Sequence, residues 1–287
     1  MSLSWEKISF TFAHYKYCPM RRSFFKIFFS VAFFYLPFKA MCWGQLGHRI
    51  VAQIADSYLT PKTKAEIKKI LGNESIAMAS NWGDFIKSDS TFKYLETWHY
   101  VNFEKNLSYN QLKEALKKDT GKVDDAYSAI VFLTKELKQK KGLAKSKKQM
   151  YLRLLIHFVG DVHQPLHVSP VGSTGGNDIK VQWFGQSSNL HRVWDSELIE
   201  GQQLSYTEYA TYLNHTTAAQ RKKWQAEPIS KWLYDSYVLA QDLHNEITET
   251  NPKLGYRYNY DHIKTLEQQM LKGGVHLAGL LNEIFGN

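Results

Sequence analysis

The chain has 287 residues, 44% of them hydrophobic, enough for a sizeable core in one large domain or two small ones. Its net charge is +9, but residues 1–42 hold six Lys/Arg against Glu6 alone, so the remaining residues are only about +4; basicity that mild is not in itself a nucleic-acid signature. The two cysteines, Cys18 and Cys42, both lie in that first stretch, which excludes cysteine-rich structural zinc sites and disulfides from the body of the protein.

In chain order, residues 1–42 read as a targeting segment. Met20-Arg21-Arg22 to Lys26 is a basic start, Ile27–Phe38 is an apolar run, and Ala40-Met41-Cys42 offers small residues at a cleavage site before Trp43. The run is too short to span a membrane. Residues 20–42 are therefore expected to be a signal peptide and 1–19 an upstream extension; the competing readings are an uncleaved apolar helix or a lipidated Cys42. Cleavage after Cys42 would give Trp43 a free amine, which with its own carbonyl oxygen can chelate a metal in a five-membered ring. His48 follows at the start of an amphipathic helix marked by Ile50, Val51, Ile54, Ala55 and Tyr58.

Thr60-Pro61 signals the start of a helix that ends at Gly72. Residues 76–87 read as an apolar helix on which Asp84 is an unusual unpaired carboxylate. Residues 94–103 are aromatic and carry His99, in isolation a packed polar residue. Residues 111–148 are helical and lysine-rich, with an apolar stripe from Val123 to Leu137 and a charged connection over 138–148 that is expected to be a solvated turn. Residues 150–159 form a strongly apolar helix. Residues 178–184 alternate as a strand or hairpin arm, Asn189 is a helix cap, and helical patterns recur over 207–213, 229–247 and 260–284.

The richest stretch is 155–195. His157 and Asp161 stand four apart, as do His191 and Asp195, a spacing that puts each pair on one helix face. His167 follows Pro165, so it approaches from another direction. One His-x3-Asp pair is ordinarily an ion pair or a satisfied core histidine. Two such pairs, a further histidine beyond a proline and a Gly-Gly-Asn turn between them suit a zinc-type ion.

Taken together, W43-G-x-x-G-H48, N81-W-x-D84, W98-H99-Y, H157-F-V-G-D161-V-H-Q-P-L-H167, G175-G-N-D and N189-L-H191-x-x-W-D195 resemble the S1/P1 nuclease family, from Trp43 nearly to the end. The resemblance implies an all-α, single compact multi-helix domain over 43–287, of the phospholipase C / P1 nuclease type, with at most a short β-hairpin. It implies a hydrolase of phosphoric ester bonds that cleaves single-stranded DNA and RNA to 5′-nucleotides and acts on 3′-nucleotides. Three zinc ions would be held: the first by Asp84, His99, His157 and Asp161, the second by His167, His191 and Asp195, the third by Trp43, His48 and the bridging Asp161. The nucleophile would be a hydroxide shared by the first and third ions, with Asp84 orienting it and Asp161 joining the two ions. His163 would support the ligands from behind. Lys87 falls where the family has a phosphate-contacting arginine, and loses the planar fork. Tyr100 matches a base-stacking aromatic, Asn102 lies where some members carry an acid at the base edge, and Asn177 closes the Gly-Gly-Asn contact to substrate. A secreted or periplasmic monomer, with no stable membrane insertion after cleavage, completes the expectation. The alternatives are a phospholipase C of the same fold and a non-catalytic zinc-binding surface protein.

Overall fold

The computed structural model describes residues 43–117, 121–139 and 142–286. The targeting segment expected over 1–42, with both cysteines, lies outside them.

Helix α1 (Gln45–Ser57) buries Ile50, Val51, Ile54 and Ala55 on one face, as its apolar spacing requires. Helix α2 (Pro61–Leu71) is capped by the Thr60 hydroxyl, starts at Pro61 and stops at Gly72, whose φ is +71°. The apolar stretch 76–87 is not one helix. It breaks into α3 (Ile76–Ala79), α4 (Trp82–Phe85) and a 3-10 turn at Ile86–Ser88, followed by a 3-10 segment over Ser90–His99. At the first break the Ser80 hydroxyl donates to the Ala77 carbonyl, the local competition with which serine ends helices.

Strand β1 (Val101–Phe103) leads to α5 (Tyr109–Leu116) and α6 (Ala126–Lys138), both opened by capping boxes, Ser108 with Gln111 and Asp125 with Ser128. Helix α7 (Lys145–Asp161) is apolar on all sides over its second half. Every residue from Leu154 to Asp161 is buried, so the helix runs into the core with α1, α6 and α13 (Tyr256–Phe285) around it. After a 3-10 turn at Pro165–His167, β2 (Val168–Pro170) pairs in parallel with β1, Val101 opposite Val168.

The alternation over 178–184 becomes β3 (Lys180–Trp183), paired with β4 (Gln186–Asn189) in a hairpin whose two turn residues, Phe184 and Gly185, both have positive φ. Strand β5 (Lys253–Leu254) adds to β3 in parallel. The body is thus helical, as expected, with the hairpin enlarged by β5 and joined by the separate β1–β2 pair. Asn189 caps α8 (Leu190–Arg192), which passes through a π-helical Val193–Glu197 into α9 (Leu198–Glu200). Helices α10 (Tyr206–Leu213), α11 (Ala218–Gln225) and α12 (Ile229–Glu246) precede α13, which at 30 residues is about 45 Å long. Helix α13 packs against α1 at Gly274, where a Cβ would stand 2.5 Å from Ile54. No helix among the described residues is long and apolar enough to cross a membrane.

Candidate metal centre

Helix α7 delivers His157 and Asp161 from its last turn into the core, both wholly buried. Helix α1 brings His48 across from the side, and the His48 and His157 rings stack at 3.9 Å. Two imidazoles stacked in a dry interior cannot both carry charge; burial, first among its influences, pushes His157 down to about 3, so it is neutral with a lone pair to offer. The 3-10 segment ends on His99, whose Nδ1 lies 3.0 Å from Asp161 Oδ2 and 3.1 Å from His157 Nε2. Helix α4 supplies Asp84, whose Oδ1 is 3.8 Å from His157 Nε2. Burial pushes the Asp84 carboxyl up, but the fields of His157 and Lys87 outweigh it and hold the group far below the usual carboxylate range.

A neighbouring group stands on the strand-and-turn side. His167 ends the 3-10 turn after Pro165, and His191 and Asp195 lie on either side of the junction between α8 and the π-helical turn. His191 Nε2 is 3.0 Å from Asp195 Oδ2, and His167 Nε2 is 3.7 Å from Asp195 Oδ1. The sequence therefore folds its acid and imidazole residues into three sets: His48, His157 and Asp161; Asp84, His99 and His157; His167, His191 and Asp195. Within each set one ligand atom per residue lies within 4.8 Å of the others. Asp161 touches His48 with one oxygen, at 3.3 Å, and His99 and His157 with the other, so it faces the first two sets together.

The far nitrogens explain why these rings suit a cation. The Nδ1 atoms of His157, His167 and His191 donate to the backbone carbonyls of Ser80, His99 and Gly175 at 2.6, 2.7 and 2.7 Å. Each bond orients its ring so that Nε2 faces the carboxylates; burial pulls the His167 ring down, but Asp195 and Asp161 hold it up at about 9, and it gives up that proton when a cation binds. His48 Nε2, His167 Nε2 and Asp161 Oδ1 are buried with no hydrogen-bond partner, in a core where such atoms are costly. A borderline-soft cation satisfies all three, and imidazole with carboxylate is a zinc donor set.

Glycines make the space. A Cβ on Gly83 would stand 2.5 Å from the His157 ring, and one on Gly160 2.7 Å from His48 Nδ1. Gly175, at φ +60°, presents its carbonyl to His191 from a turn in which a Cβ would strike the Leu166 oxygen at 2.6 Å. The Gly-Gly-Asn motif thus holds a histidine, and the Asn177 side chain staples the turn by donating to the Thr174 carbonyl at 2.9 Å. Gln164, unremarked in the sequence, is fully buried; its amide NH2 donates to Asp195 Oδ1 while its oxygen accepts from the Leu166 N–H.

Trp43 is fully buried, with its indole N–H on the Gly160 carbonyl at 2.7 Å, one residue before Asp161. Tyr100 and Asn102 are exposed beside His99, at the end of the 3-10 segment and on β1. Lys87 donates to Asp84 Oδ1 at 2.7 Å, so its ammonium is committed to a carboxylate of the centre. His163 is a correction. It points away from all three sets: its Nδ1 bonds the Val159 carbonyl and its Nε2 lies 2.7 Å from His276 Nδ1 on α13, which reaches Glu227 at 3.2 Å. It ties α7 to α13 and does not support the ligands. Standing two residues beyond the end of α7, it leaves the helix face that carries His157 and Asp161.

The His/Asp sets at the end of a core helix thus form a candidate metal centre in an all-α domain. The chain belongs to the S1/P1 nuclease family, whose model, described as S1/P1 Nuclease, matches residues 43–286. It is 30% identical to Endonuclease 3 of Arabidopsis thaliana, over 86% of this chain and 90% of that one, and 32% identical to Nuclease P1 of Penicillium citrinum, over 85% and 98%. Nuclease S1 of Aspergillus oryzae is 28% identical over 84% and 91%. Among solved structures it is similar to an alpha-toxin of Clostridium perfringens at a TM-score of 0.46 and 13% identity, covering 87% of this chain and 66% of that one, just under two thirds. The protein is a nuclease, a hydrolase of phosphoric ester bonds, in a family that is zinc-dependent in general.

Proposed function

We propose that this is a secreted or periplasmic nuclease that cleaves single-stranded DNA and RNA to 5′-nucleotides and removes 3′-phosphates, using three zinc ions. The observation that carries the reading is the presence of three His/Asp sets, two joined through His157 and Asp161 and the third tied to them by the bond from His167 Nδ1 to the His99 carbonyl. Asp84, His99, His157 and Asp161 would hold the first ion, His167, His191 and Asp195 the second, and His48, Asp161 and the Trp43 amine and carbonyl the third. Bound zinc supplies Lewis-acid polarisation of the phosphate and lowers the pKa of water towards neutrality.

The chain's own residues do the rest. The Ser80, His99 and Gly175 carbonyls hold the imidazoles in register, so no reorganisation is needed as charge builds on the phosphate. Asp84, kept ionised by the Lys87 ammonium at 2.7 Å, accepts a hydrogen bond from the attacking water and aims it. Tyr100 offers an exposed ring beside the centre to stack on a base, which a single strand can present and a duplex cannot. Asn102 and Asn177 offer amides to the nucleotide edge. Lys87 adds positive charge where phosphate approaches, shared with Asp84.

The test is digestion of single-stranded DNA by protein whose N-terminus has been sequenced, alongside metal analysis. Three zinc ions per chain, loss of cleavage with a chelator and its return with zinc are expected. Cleavage unaffected by thorough chelation would overturn the proposal. An extra residue left before Trp43 should lower the zinc content by one, and unchanged content would reject the amine as a ligand.

A further inference from the structure

The ends of α2, α6, α7 and α13 frame a groove of about 650 Å³, rimmed by Lys62, Lys69, Lys138, Lys145 and Lys148 and floored by Leu137, Leu143, Ile284 and Phe285. Two rim charges are answered: Lys69 bonds Glu66 and Lys138 bonds Glu283, each at 2.6 Å. Among the described residues, Lys62, Lys145 and Lys148 have no ion pair; Glu66 lies in the same groove, and its hydrogen bond from Lys69, then the fields of Lys69, Lys62 and Lys148, hold that carboxyl below its usual range. Helix α7 begins at this groove with no side-chain cap and no acid in its first turn, and carries lysines at its positive end instead. Five lysines against the two acids Glu66 and Glu283 leave the cleft with a surplus of positive charge, which suits a polyanion.

We propose that this groove is a second, non-catalytic site for single-stranded polynucleotide, gripping the substrate by its phosphates while the metal centre cuts. The inference rests on the nuclease activity and adds a preference for long strands over short ones. Lysine ammonium groups are point charges that suit phosphate irrespective of sequence, and an apolar floor gives unstacked bases a dry surface. The groove lies at the start of the helix whose last turn carries His157 and Asp161. Lys148 and His157 are nine residues apart and Lys145 and Asp161 sixteen, about 14 and 24 Å along the axis. A strand of many nucleotides can reach both places and a dinucleotide cannot. An anionic membrane is a poorer fit: the floor is recessed between helices, and none of its apolar residues is among the large exposed ones.

The test compares the full enzyme with Lys62→Gln/Lys145→Gln/Lys148→Gln and with the triple arginine variant, none of which touches the centre. Affinity for a 30-nucleotide phosphorothioate strand, slow to be cut, is measured by fluorescence anisotropy over a range of salt, and KM is measured for a 30-mer and for a dinucleotide. The glutamine variant should bind the strand about tenfold more weakly, with its log–log salt slope reduced by about two, as loss of three phosphate contacts on single-stranded nucleic acid requires. Its KM for the 30-mer should rise by a similar factor, its dinucleotide kinetics should stay as they were, and the arginine variant should behave as the parent. Unchanged strand affinity and slope, or an equal loss on the 30-mer and the dinucleotide, would overturn the proposal. So would a loss confined to phosphatidylserine vesicles. Absent turnover on either substrate with lysine-dependent strand binding intact would defeat the catalytic reading and leave the groove standing.

Discussion

At the scale of single residues, the centre depends on what each side chain does with its second polar atom. Asp161 uses both oxygens, one towards His48 and one towards His99 and His157. Asp161→Asn replaces one oxygen by an amide that cannot ligate, so zinc content should fall by two ions per chain while the His167, His191 and Asp195 set keeps its own. Elemental analysis after gel filtration decides this, and three retained ions would refute the bridge. Gln164 acts one step back, on Asp195. Gln164→Leu keeps the volume and leaves Asp195 Oδ1 without its donor, so the affinity of that set alone should weaken about 10–100-fold. Titration against a chromophoric chelator should show one weakened zinc and two unaltered ones.

At the scale of elements, α12 and α13 are held together by polar ties as well as apolar packing. Asp235 on α12 accepts from Lys231 and from Lys272 on α13, the latter at 3.0 Å, and Gln269 reaches Ser236 and the His163 carbonyl. Burial pushes the Asp235 carboxyl up, but the two lysines prevail and hold it below its usual range. A depressed folded pKa contributes stability that is present above the unfolded value, about 3.9, and is lost as pH falls through the folded one. The thermal-midpoint advantage of the parent over Asp235→Asn should therefore be steady above pH 5 and shrink below about pH 4; an advantage independent of pH would show the ion pairs to be idle. Such ties are where the sequence fell silent. The helices with clear apolar period, α1, α2, α6, α7, α12 and α13, were legible, because one buried face per helix leaves its mark every three or four residues. The break at Ser80, the short α11 and the pairing of β1 with β2 were not, since each depends on a distant partner. In the same way the His and Asp residues of the centre stood out by type and spacing, whereas the carbonyls of Ser80, His99 and Gly175 carry no side-chain signal, and Gln164 is ordinary until Asp195 lies beside it.

At the scale of the whole molecule, the proposed metal centre would also be a structural joint. Its acid and imidazole residues come from α1, α4, the 3-10 segment, the end of α7, the turn after Pro165 and the α8 junction, places from residue 48 to residue 195 that no continuous element links. The body has no disulfide to hold them. Without cations the buried carboxylates of Asp161 and Asp195 face only imidazoles and, at Asp195, the Gln164 amide, and His48 Nε2 and Asp161 Oδ1 meet without a hydrogen bond between them. Any ion that binds the folded chain and not the unfolded one adds RT ln(1 + [L]/Kd), about 4 kcal/mol when free metal is a thousandfold above Kd. For a domain of this size each kcal/mol moves the thermal midpoint by about 2–4 °C, so stripping even one such ion should lower it by roughly 8–16 °C. The loss should be greatest where the joint holds elements together, so hydrogen exchange should speed up in α1, the segment ending at His99 and the α8–π junction, and little in α12 or the far half of α13. Calorimetry and exchange with and without a chelator test this together. Full return on adding zinc is expected, and a midpoint unmoved by chelation would mean that the apolar core alone fixes the pocket and the cations contribute only to the chemistry.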